Sequence, residues 1–395
     1  MQREEKYTAN IYGKREVVVT KGSGALVWDV NGNEYIDCLA GHGVCIIGHS
    51  HPKVIEAIKE QVSKIITVPG VLYSDIRAEA AEKLVKMAPK GLSKVFFGNS
   101  GAEATETAIK LARKYTGKSE IIAMTKSFHG RTLGALSATW KKEYREPFEP
   151  LLPGFKFVGF GDASKVKDAA NEKTAAVIVE PVQGESGVLL PPDNYLRELR
   201  EICDQKGILL IFDEVQTGFG RTGKDFACQH WNVSPDIIAL AKGIGGGVPV
   251  GATISSDEIW GSMKAGDHGS TFGGNPLACA AVSAACDVLN NEKLTEKASK
   301  LGAYALDRLH KTLDRNPLVR EIRGLGLMIA IELKVKSKPY VIRAVQEKLL
   351  LLTSGSTILR LLPPLVISKE QIDQVVERLS RIIQPIKSSP DDTDG

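Results

Sequence analysis

Residues 236–247 read DIIALAKGIGGG. The apolar run from Ile237 to Leu240 makes a short buried strand. It is followed by Ala241, a single lysine, Lys242, and glycines at 243, 245, 246 and 247. A lysine closing such a strand is out of place in a core, because an unpaired ammonium is costly to bury. From this stretch alone two readings stand. One is a solvated lysine on a glycine-rich turn, since charged side chains are mostly exposed. The other is an amine held inside a site, where it can form a Schiff base with a carbonyl cofactor.

The same pattern recurs upstream. KVFF (94–97) runs into GNSGAEA, and IIAM (121–124) into TKSFHGRT. AAVIVE (175–180) runs into PVQGESG, and ILLIF (208–212) into DEVQTGFGRTG. These apolar runs are near-continuous and are separated by helix-like segments, which predicts an α/β fold with a mostly parallel sheet covered on both faces. In such sheets ligands sit at the carboxyl ends of the strands. All five runs carry their polar, glycine-rich sequence at that end, so Lys242 is expected inside a site.

Beyond about Gly274 the character changes. NPLACAAVSAACDVL is a helix of small residues, and 292–314 is a charged helix. Residues 320–333 read as a strand pair or one long strand. TILRLLPPL (357–365) is a strand stopped by prolines, and KEQIDQVVERLSRII is a last amphipathic helix. This is a smaller α/β domain. The expected division is an N-terminal segment, 1–60, packing with the small domain; a large cofactor-binding domain, 61–276; the small domain, 277–386; and a polar, disordered tail, 387–395.

Near the start, GALVWDVNGNEYID (24–37) reads as a hairpin, with Asn31-Gly32 in a two-residue type I′ turn. AGHGVCIIGHSHP (40–52) reads as a loop close to a ligand or another chain, Pro52 opens a helix, and 76–88 form another. The loop holds His42, His49 and His51, but no group with ligand spacing completes a metal site, and none is expected.

The chain has 395 residues, 43% hydrophobic and 25% charged, the composition of a soluble globular protein. No apolar run approaches the roughly 20 residues a membrane helix needs, and the charged start MQREEKYTAN lacks the core of a signal peptide. The six scattered cysteines contain no CxxC, so a reduced, cytoplasmic setting is expected. A net charge of +4 without a basic, aromatic-interleaved stripe argues against nucleic acid and leaves room for an acidic partner.

Several residues can carry chemistry. Ser100 and Glu103 fit a capping box at the start of a helix whose Ala108, Leu111, Ala112 and Tyr115 share a face. This is either a plain helix start or a phosphate cradle, with Gly101 letting the backbone approach an anion. In Phe128-His129-Gly130-Arg131 the aromatic can stack on a flat ring and the arginine can grip a carboxylate. Asp213 follows four apolar residues and needs a cationic partner once buried. That partner is either an internal cation or a pyridinium nitrogen whose retained proton makes the ring an electron sink. Other glycine-loop chemistries fail on spacing. There is no GxxxxGK[ST], and GIGGGV lacks the third glycine of the dinucleotide fingerprint. A nicotinamide-binding oxidoreductase is therefore the alternative of a different class.

NSGAEA, SFHGRT, EPVQGESG, FDEVQTGFGRTG, AKGIGGGVPVG and HGSTFGGNP, in this order, resemble the class III (ornithine-type) aminotransferases, which are fold-type I pyridoxal 5′-phosphate enzymes. The resemblance runs from about residue 15 to 386. It is closest to the acetylornithine aminotransferases and to the enzymes acting on lysine or ornithine attached to the carrier protein LysW. It implies a large domain with a mostly parallel, seven-stranded sheet and a smaller α/β domain. Lys242 would form the Schiff base and shuttle the proton, and Asp213 would pair with the pyridine nitrogen. Glu214, Val215 and Gln216 would belong to the cofactor site, Val215 against the ring and Gln216 near its phenolic oxygen. Phe128 would stack on the other face, and Gly101 and Ala102 would bind the phosphate. The glycines after Lys242 would give its backbone room to approach the cofactor.

Thr271 would reach the phosphate of a neighbouring subunit, making a homodimer with shared sites. Arg131 and Ser270 would bind the acylated substrate, Arg131 at its α-carboxylate. Arg360 would hold the α-carboxylate of glutamate, and Glu185 would pair with Arg360 when the other substrate is bound. The implied reaction moves the terminal amine of an N-acylated ornithine or lysine to 2-oxoglutarate, in arginine or lysine synthesis. Free ornithine or 4-aminobutyrate are the alternative donors. His42 and Trp140 depart from the bacterial acetylornithine pattern, and the segments WKKEYREPFEP and TSGSTILRLLPP lean towards the LysW-linked branch, whose acidic carrier would need a basic rim.

Overall fold

The structure, a computed structural model, describes residues 1–385. The expected tail, 387–395, lies outside the described residues.

A seven-stranded sheet organises the molecule. Its order is Lys94–Gly98, Gly251–Ser255, Ile237–Leu240, Leu209–Asp213, Thr174–Val179, Glu120–Met124 and Phe155–Val158. Every neighbouring pair is parallel except that Gly251–Ser255 runs antiparallel to both strands beside it. The five expected strands therefore all point the same way and end at one edge. Two strands escaped the sequence reading. Phe155–Val158 is a half-buried edge strand, and Gly251–Ser255 is built mostly of small residues. A Cβ at Gly251 would lie 2.1 Å from the Ser100 carbonyl oxygen, so glycine is required for that loop to pass.

Near-continuous hydrophobicity follows from burial on both faces. Alternate side chains feed two separate cores. Ile122, Met124, Val177, Val179, Leu210 and Phe212 enter one, and Ile121, Ala123, Ala176, Ile178 and Ile211 enter the other. The second core is closed by the helix Gly101–Thr116 through Ala108, Ile109, Leu111 and Ala112. Tyr115, expected on that face, is instead 37% exposed. Its hydroxyl donates to Glu258 at the surface.

A four-stranded sheet joins Val19–Ser23, Leu26–Asp29 and Glu34–Asp37 to the remote Leu349–Leu350. The hairpin is present, but its turn is not the expected two-residue type I′. Gly32 has φ 79° while Asn31 does not take a positive φ. Asp29 Oδ1 accepts from the backbone N–H groups of Asn31 (2.9 Å) and Asn33 (2.8 Å) and shapes the loop instead. A further sheet combines Val319–Leu325, Met328–Leu333, Ile358–Leu361 and Leu352–Ser354, so residues 320–333 are a strand pair. The helix Pro276–Asn291 buries Ala278, Ala281 and Ala285, and its small residues let it pack closely on Pro52–Lys64 and Asp75–Met87. Among the described residues no helix is long and apolar enough to cross a membrane.

Candidate active site

A cavity of about 450 Å³ opens at the carboxyl edge of the central sheet. Its wall includes Gly101, Ala102, Phe128, Asp213, Val215, Gln216, Glu185 and Lys242, together with His129, Glu180, Asn99 and Val44.

One side is the start of the helix Gly101–Thr116. Ser100 Oγ accepts from the Glu103 N–H. The Glu103 carboxylate reaches back one residue further than in a capping box, to the backbone N–H (2.6 Å) and side-chain amide (3.0 Å) of Asn99. The first N–H groups of the helix are thus left for an anion at the cavity. A Cβ at Gly101 would lie 2.8 Å from Val215 Cγ1, so only glycine lets the helix start and the Val215 wall come this close.

Lys242 begins a single 3₁₀ turn, Lys242–Gly245, with φ 49°. This left-handed conformation is strained for a side chain with a Cβ and is held only when its surroundings over-determine it. Two of the glycines that follow are required by protein packing. A Cβ at Gly243 would meet Ile46 Cδ1 at 2.5 Å, and one at Gly245 would meet Val250 Cγ1 at 2.7 Å. They admit Ile46 and Val250, whereas Gly247, with nothing within 4 Å of an added Cβ, lines the cavity. Burial lowers the Lys242 pKa, with Glu185 opposing and Arg360 reinforcing that shift.

The deep end is a set of buried charges. Asp213, 4% exposed, accepts from the Val215 N–H through Oδ1 (3.0 Å), and its Oδ2 lies 2.7 Å from His129 Nδ1. Nε2 of His129 is buried and has no partner among the described residues. Beside them Glu180 accepts from the Phe128 N–H (2.9 Å) through Oε1 and the Gly184 N–H (3.0 Å) through Oε2. Burial raises the Glu180 carboxyl above its ordinary range, although His129 opposes the shift. His129 and Glu180 were not singled out from the sequence. His129 lay inside SFHGRT, and Glu180 closes an apolar run by the same logic that flagged Asp213.

The outer end is an ion pair. Arg360, 1% exposed, places Nη1 2.8 Å from Glu185 Oε1. The same nitrogen donates to the Gly184 carbonyl (2.8 Å) and to Gln216 Oε1 (3.2 Å). Gln216 in turn donates to Glu185 at 3.3 Å, so its amide faces this pair. Burial would raise the Glu185 pKa, but the charges of Arg360 and Lys242 outweigh it and hold the carboxylate down at about 2.

Five expected residues fall outside this wall: Arg360, which meets it through Glu185 and Gln216, and four others. Glu214 points away: its carboxylate accepts from the N–H groups of Ala227 (2.7 Å) and Cys228 (2.8 Å) and from Thr217 Oγ1 (2.8 Å). Strand alternation explains this, since neighbours along a strand project to opposite faces and Asp213 takes the cavity side. Arg131 is exposed, its guanidinium 3.5 Å from the centre of the Tyr144 ring, a cation–π contact. Ser270 accepts from Asn99 Nδ2 (3.2 Å) and from the Gly273 N–H (2.9 Å), and Thr271 is exposed. The loop histidines go separate ways. His49 sits 2.7 Å from Asp37 and His51 3.2 Å from Glu292.

The wall suits pyridoxal phosphate. A buried carboxylate, Asp213, faces the cavity, a glycine-tight helix start presents free N–H groups, and one amine, Lys242, projects between them.

Known proteins agree with this geometry. The family model described as "Aminotransferase class-III" matches residues 7–383. An acetylornithine aminotransferase of Methanopyrus kandleri is 51% identical over 95% of this chain and 96% of its own. A [LysW]-aminoadipate semialdehyde transaminase of Deinococcus radiodurans is 48% identical over 97% of this chain and 90% of its own. The crystal structure of an ornithine aminotransferase from Toxoplasma gondii superposes with a TM-score of 0.93 at 36% identity, covering 97% of this chain and 93% of that one. With sequence, fold and cavity in agreement along nearly its whole length, this chain belongs to the class-III aminotransferases, the pyridoxal-phosphate-dependent transferases of amino groups.

Proposed function

We propose that the enzyme moves the terminal amine of an N-acylated ornithine or lysine to 2-oxoglutarate, leaving a semialdehyde and glutamate. The observation that carries this reading is the Glu185–Arg360 pair, 2.8 Å apart, with Glu185 in the wall of the lysine cavity and Arg360 directly behind it. A buried arginine is a receptor for a dicarboxylate. A neighbouring carboxylate that can cap it lets the same cavity accept a donor whose reacting end carries no carboxylate.

When bound, pyridoxal phosphate supplies an aldehyde that condenses with amines and a ring that takes up electrons from the reacting carbon. Asp213, oriented by His129, would hold the ring nitrogen, Val215 and Phe128 would hold the ring, and the Gly101–Ala102 N–H groups would hold the phosphate. Lys242 carries the proton at Nζ, and burial favours the neutral amine that can accept it. Gln216 serves the Arg360–Glu185 end as well as the ring.

The enzyme acts as a homodimer in this reading. Thr271 and Ser270 stand outside their own cavity, and Ile66 and Phe272 line an open groove that shares Asn99, Val248 and Pro249 with it. Six free cysteines suit the cytoplasm. The relatives' names point to acetylornithine and LysW-linked donors. Arg131 and Lys141, whose Nζ is 4.8 Å from the Tyr144 ring centre, offer exposed positive charge next to Phe128. This suits an acidic carrier as well as a small α-carboxylate.

The test compares acetylornithine, LysW-linked lysine, free ornithine and 4-aminobutyrate as donors with 2-oxoglutarate, after borohydride labelling has marked Lys242. An acylated donor is expected to exceed the free amines at least roughly ten-fold in kcat/KM, the size of one well-placed contact. Preference for free ornithine or 4-aminobutyrate would refute the reading.

A further inference from the structure

Glu180 is a buried acid without a lysine or arginine partner among the described residues. Burial raises its pKa, so its presence is costly, and an apolar residue would be the more stable choice if packing were its only task. What it does have is a pair of backbone donors from two different loops, the Phe128 N–H at 2.9 Å and the Gly184 N–H at 3.0 Å. Phe128 lies in the cavity wall at the end of one strand. Gly184 lies at the end of the next, and its carbonyl accepts from Arg360 at 2.8 Å. The Gly184 loop is pressed tightly: a Cβ there would sit 2.0 Å from Gln216 Oε1, and Gln216 itself bonds to Arg360 and Glu185.

We propose that Glu180 is a positioning residue for substrate choice, tying the Phe128 loop to Gly184 and so holding the Gly184 carbonyl where it orients Arg360 for a dicarboxylate. The inference rests on the reading of Arg360 as the carboxylate receptor. A carboxylate is suited to this position because both of its oxygens are acceptors. Glutamine keeps one acceptor and turns an N–H towards the other backbone N–H, leaving that donor buried and unpaired. Aspartate is too short to reach both loops.

The test uses glutarate, a five-carbon dicarboxylate with neither an amine nor a keto group, titrated into the holoenzyme by calorimetry. In Glu180→Gln the glutarate Kd is expected to rise on the order of ten-fold, as befits one orphaned buried N–H next to the receptor. The half-reaction with 2-oxoglutarate should fall about ten-fold further than that with the acylated amine donor, because Arg360 is capped by Glu185 when the donor is bound. An unchanged glutarate Kd would overturn the proposal, as would an equal fall in both half-reactions. Arg360→Lys is the control. If it weakens glutarate and Glu180→Gln does not, the Glu180 proposal fails alone; if neither does, the receptor reading fails and takes the proposal with it. Wild-type holoenzyme offers a check free of folding defects. The Phe128 and Gly184 amides should both resist hydrogen exchange, and exchange of either at the rate of an unstructured chain would remove the bridge.

Discussion

The two ends of the cavity are built on opposite plans. At the deep end Asp213 is fixed by partners that cannot leave, the Val215 N–H and a buried His129. At the outer end Arg360 is just as buried, but its carboxylate partner Glu185 has a side chain 34% exposed. A fixed carboxylate suits a ring nitrogen that never changes. A displaceable one suits a cavity that must take a dicarboxylate in one half of the cycle and an uncharged chain in the other. Lys242 stands between them, and both ends act on its charge.

The largest effect should come from breaking the point where the two ends meet. Lys242→Ala is expected to cut kcat by at least about a thousand-fold and to abolish borohydride labelling; residual labelling elsewhere in the cavity would displace Lys242 from its role. Next, Asp213→Asn keeps the shape of the deep end but removes its charge. A loss of about a hundred-fold or more in kcat for both donor and acceptor is expected, measured in single turnovers. A loss confined to one substrate would contradict the fixed-end picture.

Changing the outer end should instead change the ratio of substrates. Glu185→Gln leaves Arg360 without its anionic cap, and the preference for glutamate over the ω-amine donor should rise roughly ten-fold, the worth of a charged hydrogen bond. An unchanged ratio of kcat/KM values would sink the idea of a displaceable partner.

The smallest effect concerns stability against pH. Hydrogen bonding to Asp37 raises the His49 pKa to about 10 from 6.5. That pair stabilises the fold fully below about pH 6.5, and its contribution is lost as pH rises through 10. Glu185 has the opposite sign. Held down at about 2, it contributes above its ordinary pKa of 4.5 and loses that contribution as pH falls through 2. Thermal melts should show His49→Gln lowering Tm by a few degrees at neutral pH and flattening the alkaline decline, with little change in the acid limb. Identical alkaline slopes in wild type and variant would remove His49 from the account.

Much of the deep end was legible in the residues. An acid after an apolar run, as at Asp213, announces a buried charge, and a lysine closing another run announces an amine in a site. Glu214 was misread because one-residue alternation on a strand end decides which of two adjacent acids faces the cavity. That depends on which face the Gly101–Thr116 helix covers. Tyr115 was misread for a related reason: spacing puts it on the apolar face, but a partner at the surface, Glu258, claims its hydroxyl.

By itself the sequence determined five of the seven strands of the central sheet, their common direction and the residues delivered to their ends. Those depend on local runs of hydrophobicity, and burying such a run dominates the free energy of any fold that contains it. Only the tertiary structure decided which delivered groups meet. His129 reaches Asp213 across 84 residues of chain, Phe128 reaches Glu180 across 52, and Arg360 reaches Gly184 across 176. These bonds act over about 3 Å, and nothing in the local pattern records them. The glycines after Lys242 show the same division. Their place in the chain marked a close approach, and only packing revealed that Ile46 and Val250 are what approach Gly243 and Gly245.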